Sequence, residues 1–355
     1  MHVIGRTDGE GPTADLGRYL ARDGSTGGRV ALDLDRPHAG LVVGKRGSGK
    51  SYTLGVLVEE VTDVPGLAPV VLDPMDAFAG LVERGGTVHR RPRVRADAIP
   101  PAAWPELLEL DPASEVGGLV WRAFTETGTL RAAIEWLREA DAERAVRRAG
   151  RNHLSLAASW DVFSPDGLGA TDLDDGEPTV LDCSALPAAA TNAICRAIAS
   201  GLYRAAVGGE LDRLPWLFLD EAHVCFDGLA GPALGTLLTR GRSPGVSLIC
   251  ATQRPRALPS VARSQADLLV AHRLTTRADL DALVDAHPAL LEEEVADRLA
   301  LDVGEAVVVD DATESAHSVR IRTRETRHDG DSPRASAMVP GEPRARSRDR
   351  TGTPE

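Results

Sequence analysis

Lysine is nearly absent from this 355-residue chain: Lys45 and Lys50 are the only two, and all other members of its 40 basic residues are arginines. Acids outnumber bases, 53 to 40, for a formal net charge of −13. Such a composition fits a salt-rich cytosol and fits equally a GC-rich genome that favours arginine codons. It argues against a surface that holds nucleic acid everywhere, but a local basic channel remains open, because net charge says nothing of distribution. Cysteine is scarce as well. Cys183, Cys195, Cys225 and Cys250 have no C-x-x-C spacing, do not cluster with histidine and sit among apolar neighbours. Buried free thiols are expected, not a metal-thiolate site. None of the nine histidines falls in an HExxH pattern. The first residues, Met1 to Arg6, lack an apolar h-region, and no apolar run approaches a membrane span. The expectation is a soluble cytoplasmic chain without a membrane partner.

What is present is a hydrophobic fraction of 43%, enough for a substantial core. The length suits two domains, or one large α/β domain with an insertion. Residues 1–37 are polar and glycine-rich, with one short strand signal at Val30–Leu34. Ala39–Val43 then reads as a buried parallel strand. Leu54, Leu57, Val58 and Val61 after it fall at helical spacing. Further strand signals lie at 69–73, 179–182, 216–219, 246–250 and 268–271, with helical stretches at 188–207, 229–240 and 277–286. This alternation implies a mostly parallel sheet covered by helices on both faces. Residues 306–309 and 319–322 read as a closing antiparallel pair. Between 95 and 172 the pattern is helical, as over Leu130–Arg148, and implies a mostly helical insertion. From about His328 periodicity is lost and a disordered tail is expected to 355. Its arginines, Arg344, Arg346, Arg348 and Arg350, suit either a nucleic-acid contact or a solvated end.

Gly44-Lys45-Arg46-Gly47-Ser48-Gly49-Lys50-Ser51 fits G-x-x-x-x-G-K-[ST]. Glycines at this spacing let successive backbone N–H groups wrap phosphate oxygens, and the helix that follows adds its positive end. Lys50 is placed to reach the β- and γ-phosphates, and Ser51 to bind Mg²⁺. The preceding strand and following amphipathic helix are the context this motif needs. A second strand, Leu217-Phe218-Leu219, runs into Asp220-Glu221. Alone this is a weak signal, since many strands end in acidic loops. Paired with the loop it is the Walker B arrangement, with Asp220 holding Mg²⁺ through its water shell and Glu221 polarising the attacking water. Ala222-His223 completes DEAH letters shared with two-lobed helicases, but this chain has room for only one core.

The strand over 247–250 continues into Ala251-Thr252-Gln253. Ligands of a doubly wound sheet lie at the carboxyl ends of its strands, so Gln253 is expected to face the γ-phosphate beside Glu221. Arg240 and Arg242 precede this strand, and Arg254 and Arg256 follow it. Any of them can supply an arginine finger to a neighbouring subunit.

The segment Ala251-Thr252-Gln253-Arg254-Pro255, then Ser264-Gln265-Ala266-Asp267, then Ala271-His272-Arg273-Leu274-Thr275, resembles the HerA family of the HerA/FtsK superfamily. Leu301-Asp302-Val303-Gly304-Glu305-Ala306 and the basic strand Val319–Arg324 resemble later elements of the same family. The resemblance covers about 38–90 and 176–327. It implies a RecA-like ATPase core over 38–327, a hexameric ring with ATP and Mg²⁺ at subunit interfaces, and double-stranded DNA in the pore. It also implies a role in DNA processing or repair, and a nuclease partner of the NurA type. Lys50, Ser51, Asp220, Glu221 and Gln253 inherit the ATP-site roles, and Arg240 and Arg242 the place of a trans-acting arginine. Two departures stand out. Family members carry a β-barrel before the core, for which 37 residues are too few, and Asp73-Pro74-Met75-Asp76 only loosely matches Asp-Pro-x-Gly-Glu.

The leading expectation is therefore an ATP-driven motor on double-stranded DNA. The alternative is an ATP-hydrolysing switch that acts on a protein partner without translocating DNA. A DNA-binding scaffold with a dead site is disfavoured by the joint presence of Lys50, Asp220 and Glu221.

Overall fold

The computed structural model describes residues 1–6, 10–285, 301–310 and 312–328. The strands are β1 (His2–Ile4), β2 (Thr13–Leu20), β3 (Thr26–Asp33), β4 (Ala39–Val43), β5 (Leu67–Asp73) and β6 (Thr87–Arg90) in the first half. β7 (Thr179–Asp182), β8 (Leu214–Leu219), β9 (Ser247–Thr252), β10 (Leu268–Ala271), β11 (Glu305–Asp310) and β12 (Ser315–Ile321) follow. The helices are α1 (Lys50–Thr62), α2 (Trp104–Leu107), α3 (Glu115–Glu126), α4 (Leu130–Glu139), α5 (Arg144–Ser159), α6 (Ala188–Gly208), α7 (His223–Phe226), α8 (Gly231–Arg240), α9 (Ser260–Ser264) and α10 (Arg277–Val284).

All twelve strands form one sheet in the order β1-β3-β2-β12-β11-β10-β4-β9-β8-β5-β7-β6. From β10 to β6 every neighbouring pair is parallel. All five residues of β4 are buried. Leu41 and Val43 pack on the side of α6 and α8, while Val42 packs on the side of α1. A strand covered on both faces has to read as an unbroken apolar run, and β4 does. The chain leaves β4 for β5 on one side, and later places β10 on the other. The crevice at the carboxyl end of β4 is therefore a topological switch point, where such sheets bind ligands.

On the other side of β10 the sheet turns antiparallel through β11, β12, β2 and β3. The expected closing pair is β11 and β12. The segment before β4 holds more than the one strand its sequence displays: β1, β2 and β3 continue the same sheet beyond β12. Ile4, Leu16, Val30 and Leu32 join the core layer of α1.

The helical segment expected over 95–172 carries α2 to α5, between β6 and β7. Trp104 is its buried anchor, stacked on Phe124 with ring centroids 3.7 Å apart. Ser114 and Thr129 cap α3 and α4 with side-chain hydrogen bonds, as their types favour. The helical pattern read over Leu130–Arg148 is broken. Extended backbone at Ala140 and Glu143 separates α4 from α5. The reversal lets Leu130, Ala133 and Leu137 from one helix and Leu154 and Ala157 from the other enter the same core. The four cysteines are buried and free, as expected, and burial pushes the Cys183 and Cys250 thiols well above the ordinary range.

After β12 the chain crosses back over α1. Glu59, fully buried on that helix, accepts hydrogen bonds from the Glu325 and Thr326 amides and the Thr326 hydroxyl, and pairs with Arg322 at 2.9 Å. Burial pushes the Glu59 carboxyl up, but these donors together hold it below the usual range. Arg324 is buried over the Phe78 ring, against α1 at Gly55, where a Cβ would meet its guanidinium at 2.5 Å. The strap ends at His328, whose ring meets Tyr52 edge-on. The tail expected beyond it lies outside the described residues.

Candidate active site

The phosphate-binding loop joins β4 to α1. Its first turns are held from below: the Lys45 amide donates to the Arg273 carbonyl at 2.8 Å, and the Ser48 hydroxyl donates to the Lys45 carbonyl at 2.8 Å. Gly49 precedes α1 at φ +115, a conformation open to glycine. No side chain caps α1, and no acid stands in its first turn. Its leading amides and positive end are thus left to a ligand. Lys50 is buried beside them and donates to the Lys45 carbonyl at 3.1 Å. Desolvation lowers its pKa, against the attraction of Glu221 and Asp220.

His272 carries the loop. It follows β10, is fully buried, and donates its backbone amide to the Val43 carbonyl. One ring nitrogen lies 2.9 Å from the Thr53 hydroxyl on α1 and the other 2.8 Å from the Glu305 carbonyl on β11. A Cβ on Gly44 would meet the His272 Cβ at 2.7 Å. Burial pulls the ring pKa down to about 4, with Lys50 adding to the shift and the Glu305 carbonyl opposing it. A neutral ring therefore ties loop, helix and the neighbouring strand together.

At the carboxyl end of β8 the Ser51 hydroxyl donates to Asp220 at 2.6 Å. Asp220 is raised by burial, opposed by Ser51, the Glu221 amide and Lys50. Both are hard oxygen donors at the base of the loop, and they fit Mg²⁺, which favours such ligands and keeps much of its water shell. Glu221 next to them adopts φ +48, an uncommon conformation for a residue of its type. Its Oε2 is buried, 3.4 Å from His223 Nδ1 but without hydrogen-bond geometry. His223 Nδ1 instead meets the Thr252 hydroxyl at 3.1 Å. Burial and Asp220 raise the Glu221 pKa, while Lys50, Arg254 and Arg46 pull it back. A carboxylate with one unpartnered oxygen and a raised pKa is suited to receive a proton.

Asp73 closes β5 one strand away. It accepts from the Met75 and Phe78 amides, and burial lifts its pKa to about 6, with Asp220 adding to the rise. Gln253 follows β9 at this same edge, since Thr252 pairs with Val43. Arg240 and Arg242 do not join the group. Arg242 pairs with Asp267 at 3.1 Å, and Asp267 also accepts from the Ala39 amide, at the amino end of β4. Arg240 is exposed at the end of α8. Within one chain these two arginines stand at the edge opposite the loop.

In the sequence, His272 stands out only within the HerA-like segment, and Arg254 only as one of four candidate fingers. The signal for His272 is long-range: its ring partners, Thr53 and Glu305, lie far off in the chain.

No protein-family model and no curated protein matches this chain. Solved structures do. VirB4 of Thermoanaerobacter pseudethanolicus superposes with a TM-score of 0.67 at 19% identity, covering 90% of this chain and 98% of that one. The plasmid coupling protein TrwB, in complex with ADP and Mg²⁺, superposes with a TM-score of 0.63 at 16% identity, covering 90% and 98%. The likeness shows the fold, an α/β RecA-like P-loop NTPase core.

Proposed function

We propose that this chain is a Mg²⁺-dependent ATPase of HerA/FtsK type that works as an oligomeric motor on double-stranded DNA. The observation that carries it is the convergence of Lys50, the Ser51–Asp220 pair and Glu221 on the uncapped start of α1. The nucleotide and Mg²⁺ in the TrwB complex, and its description as a plasmid coupling protein, support the same reading.

The loop amides and Lys50 bind the phosphates, and Ser51 and Asp220 would hold the metal. Mg²⁺, when bound, would supply positive charge against the developing negative charge of the phosphates. Glu221 orients a water on the γ-phosphorus and takes its proton as the water oxygen bonds to phosphorus. The bond to the β–γ bridging oxygen breaks, and ADP leaves with that electron pair. Gln253 orients the water or reports the γ-phosphate, and Arg240 or Arg242 reaches the site of the next subunit. A hexameric ring, HerA membership, a DNA-repair role and a NurA-type nuclease partner belong to this reading.

ATP-dependent displacement of a third strand from a linear duplex tests it. Displacement that needs hydrolysis supports a motor, and ATP turnover without displacement contradicts translocation. One observation favours the protein-partner switch: Trp121 on α3 is 47% exposed and Leu156 on α5 is 56% exposed, a pair of large apolar side chains on the insertion.

A further inference from the structure

The antiparallel end of the sheet carries a row of arginines in register. Arg29 on β3 is the cross-strand partner of Arg18 on β2, and Arg18 is the partner of Arg320 on β12. Directly opposed residues point to the same face, so the three guanidinium groups line up across three strands, over about 10 Å at the usual strand spacing. All three side chains are exposed. The row ends on Glu305, the partner of Arg320 on β11, which bonds it at 2.7 Å. Arg18 donates to the Gly27 carbonyl at 3.3 Å, and neither Arg18 nor Arg29 pairs with a carboxylate among the described residues.

Like charges placed directly opposite each other destabilise a sheet. Here that cost falls on a chain with a net charge of −13 and ample acids to place there instead. The row borders a groove of about 240 Å³, in which, among the described residues, Asp15 is the one lining carboxylate and Ile321, itself buried, the one large apolar residue. Protein docking surfaces are centred on aromatic or apolar anchors, and this groove offers none. Guanidinium forks match phosphate oxygens in pairs.

The geometry points to a contact surface for the phosphate backbone of nucleic acid on β2, β3 and β12, separate from the ATP site and reading no sequence. It rests on the DNA reading above for its partner, not for its charge. Arg320 connects it to that site: Glu305, which holds Arg320, offers its carbonyl to His272 beneath the phosphate loop.

The test is Arg18→Glu with Arg29→Glu in the full chain. Labelled linear duplex is titrated by anisotropy over a range of KCl, with ATP turnover measured alongside. The surface predicts affinity lowered at least about tenfold at low salt, and a salt slope smaller by about one for each arginine. Turnover without DNA stays unchanged, because neither residue touches the loop. Equal affinity and slope in variant and parent overturn the surface, even where DNA stimulates both. No binding by the parent at low salt overturns it too. Dissociation of an oligomer with DNA affinity intact also overturns it, and assigns the row to a contact between copies. DNA binding that depends on Arg18 and Arg29, without DNA-stimulated turnover, leaves the surface standing and removes the motor.

Discussion

Ser51 and Asp220 lie 169 positions apart in sequence, yet the hydroxyl of one donates to the carboxylate of the other at 2.6 Å. The contact joins the first turn of α1 to the end of β8, across the switch point of the sheet. It is the fixed point from which the proposed metal site is built. Asp220→Asn keeps an oxygen for Ser51 but removes the charge. It is expected to raise the Mg²⁺ concentration for half-maximal turnover about 10–100-fold, the usual effect of altering an outer ligand. An unchanged Mg²⁺ dependence removes Asp220 from the metal site.

Glu221→Gln is nearly isosteric and leaves the loop and Lys50 in place. ATP affinity, read by equilibrium binding of a fluorescent analogue, should stay within a few-fold of the parent. Turnover should fall by about 10²–10⁴, the range of general-base assistance. Normal turnover in this variant shifts the base to another group.

His272 and Asp73 give opposite pH signatures. The His272 pKa is about 4 when folded, below its ordinary 6.5, so its contribution is complete above 6.5 and is lost as pH falls through 4. Asp73 is raised to about 6, so its contribution is complete below its ordinary 3.8 and is lost as pH rises through 6. Between 4 and 6 the two slopes offset each other. Asp73→Asn uncovers the histidine. Relative to the parent, its unfolding free energy should rise with pH by about 1.4 kcal/mol per unit across that window. Denaturant titrations at several pH values read it, and a constant difference between the two proteins contradicts the assignment.

Much of this site is legible in the sequence because its parts are local. Ala39–Val43, the loop to Ser51, and Leu217–Glu221 each carry their own pattern, and the strands that frame them are mostly apolar and buried. Other parts are not written locally. β6 is a short strand at the sheet's end with no buried residue, and β2 is interrupted by irregular register at Asp15–Gly17, so neither shows a clean alternation. The first half of β3 is the exposed Thr26-Gly27-Gly28-Arg29, before its buried half begins. The break between α4 and α5 follows from what they pack against, not from a proline or glycine at the break. His272 and Glu59 owe their roles to residues brought from far along the chain, which no spacing rule reaches.

Glu59 provides a stability test remote from the chemistry. Its removal leaves the buried Arg324 beside an α1 without its carboxylate, and unbinds the Glu325 and Thr326 amides. Glu59→Ala is expected to lower unfolding free energy by about 3–5 kcal/mol, the range for breaking one partner out of a buried charged group. A loss within about 0.5 kcal/mol, the size of an ordinary surface change, contradicts the strap as a structural element.

The proposed function stands on the coupling of ATP hydrolysis to duplex DNA. Steady-state phosphate release, with and without linear duplex, at moderate and at multimolar KCl, tests it most directly. Mg²⁺-dependent turnover that duplex DNA stimulates is expected, with stimulation falling steeply as salt rises, because phosphate contacts release counterions. Turnover indifferent to DNA at every salt concentration contradicts the motor, and turns attention to a protein partner at the insertion of α2 to α5.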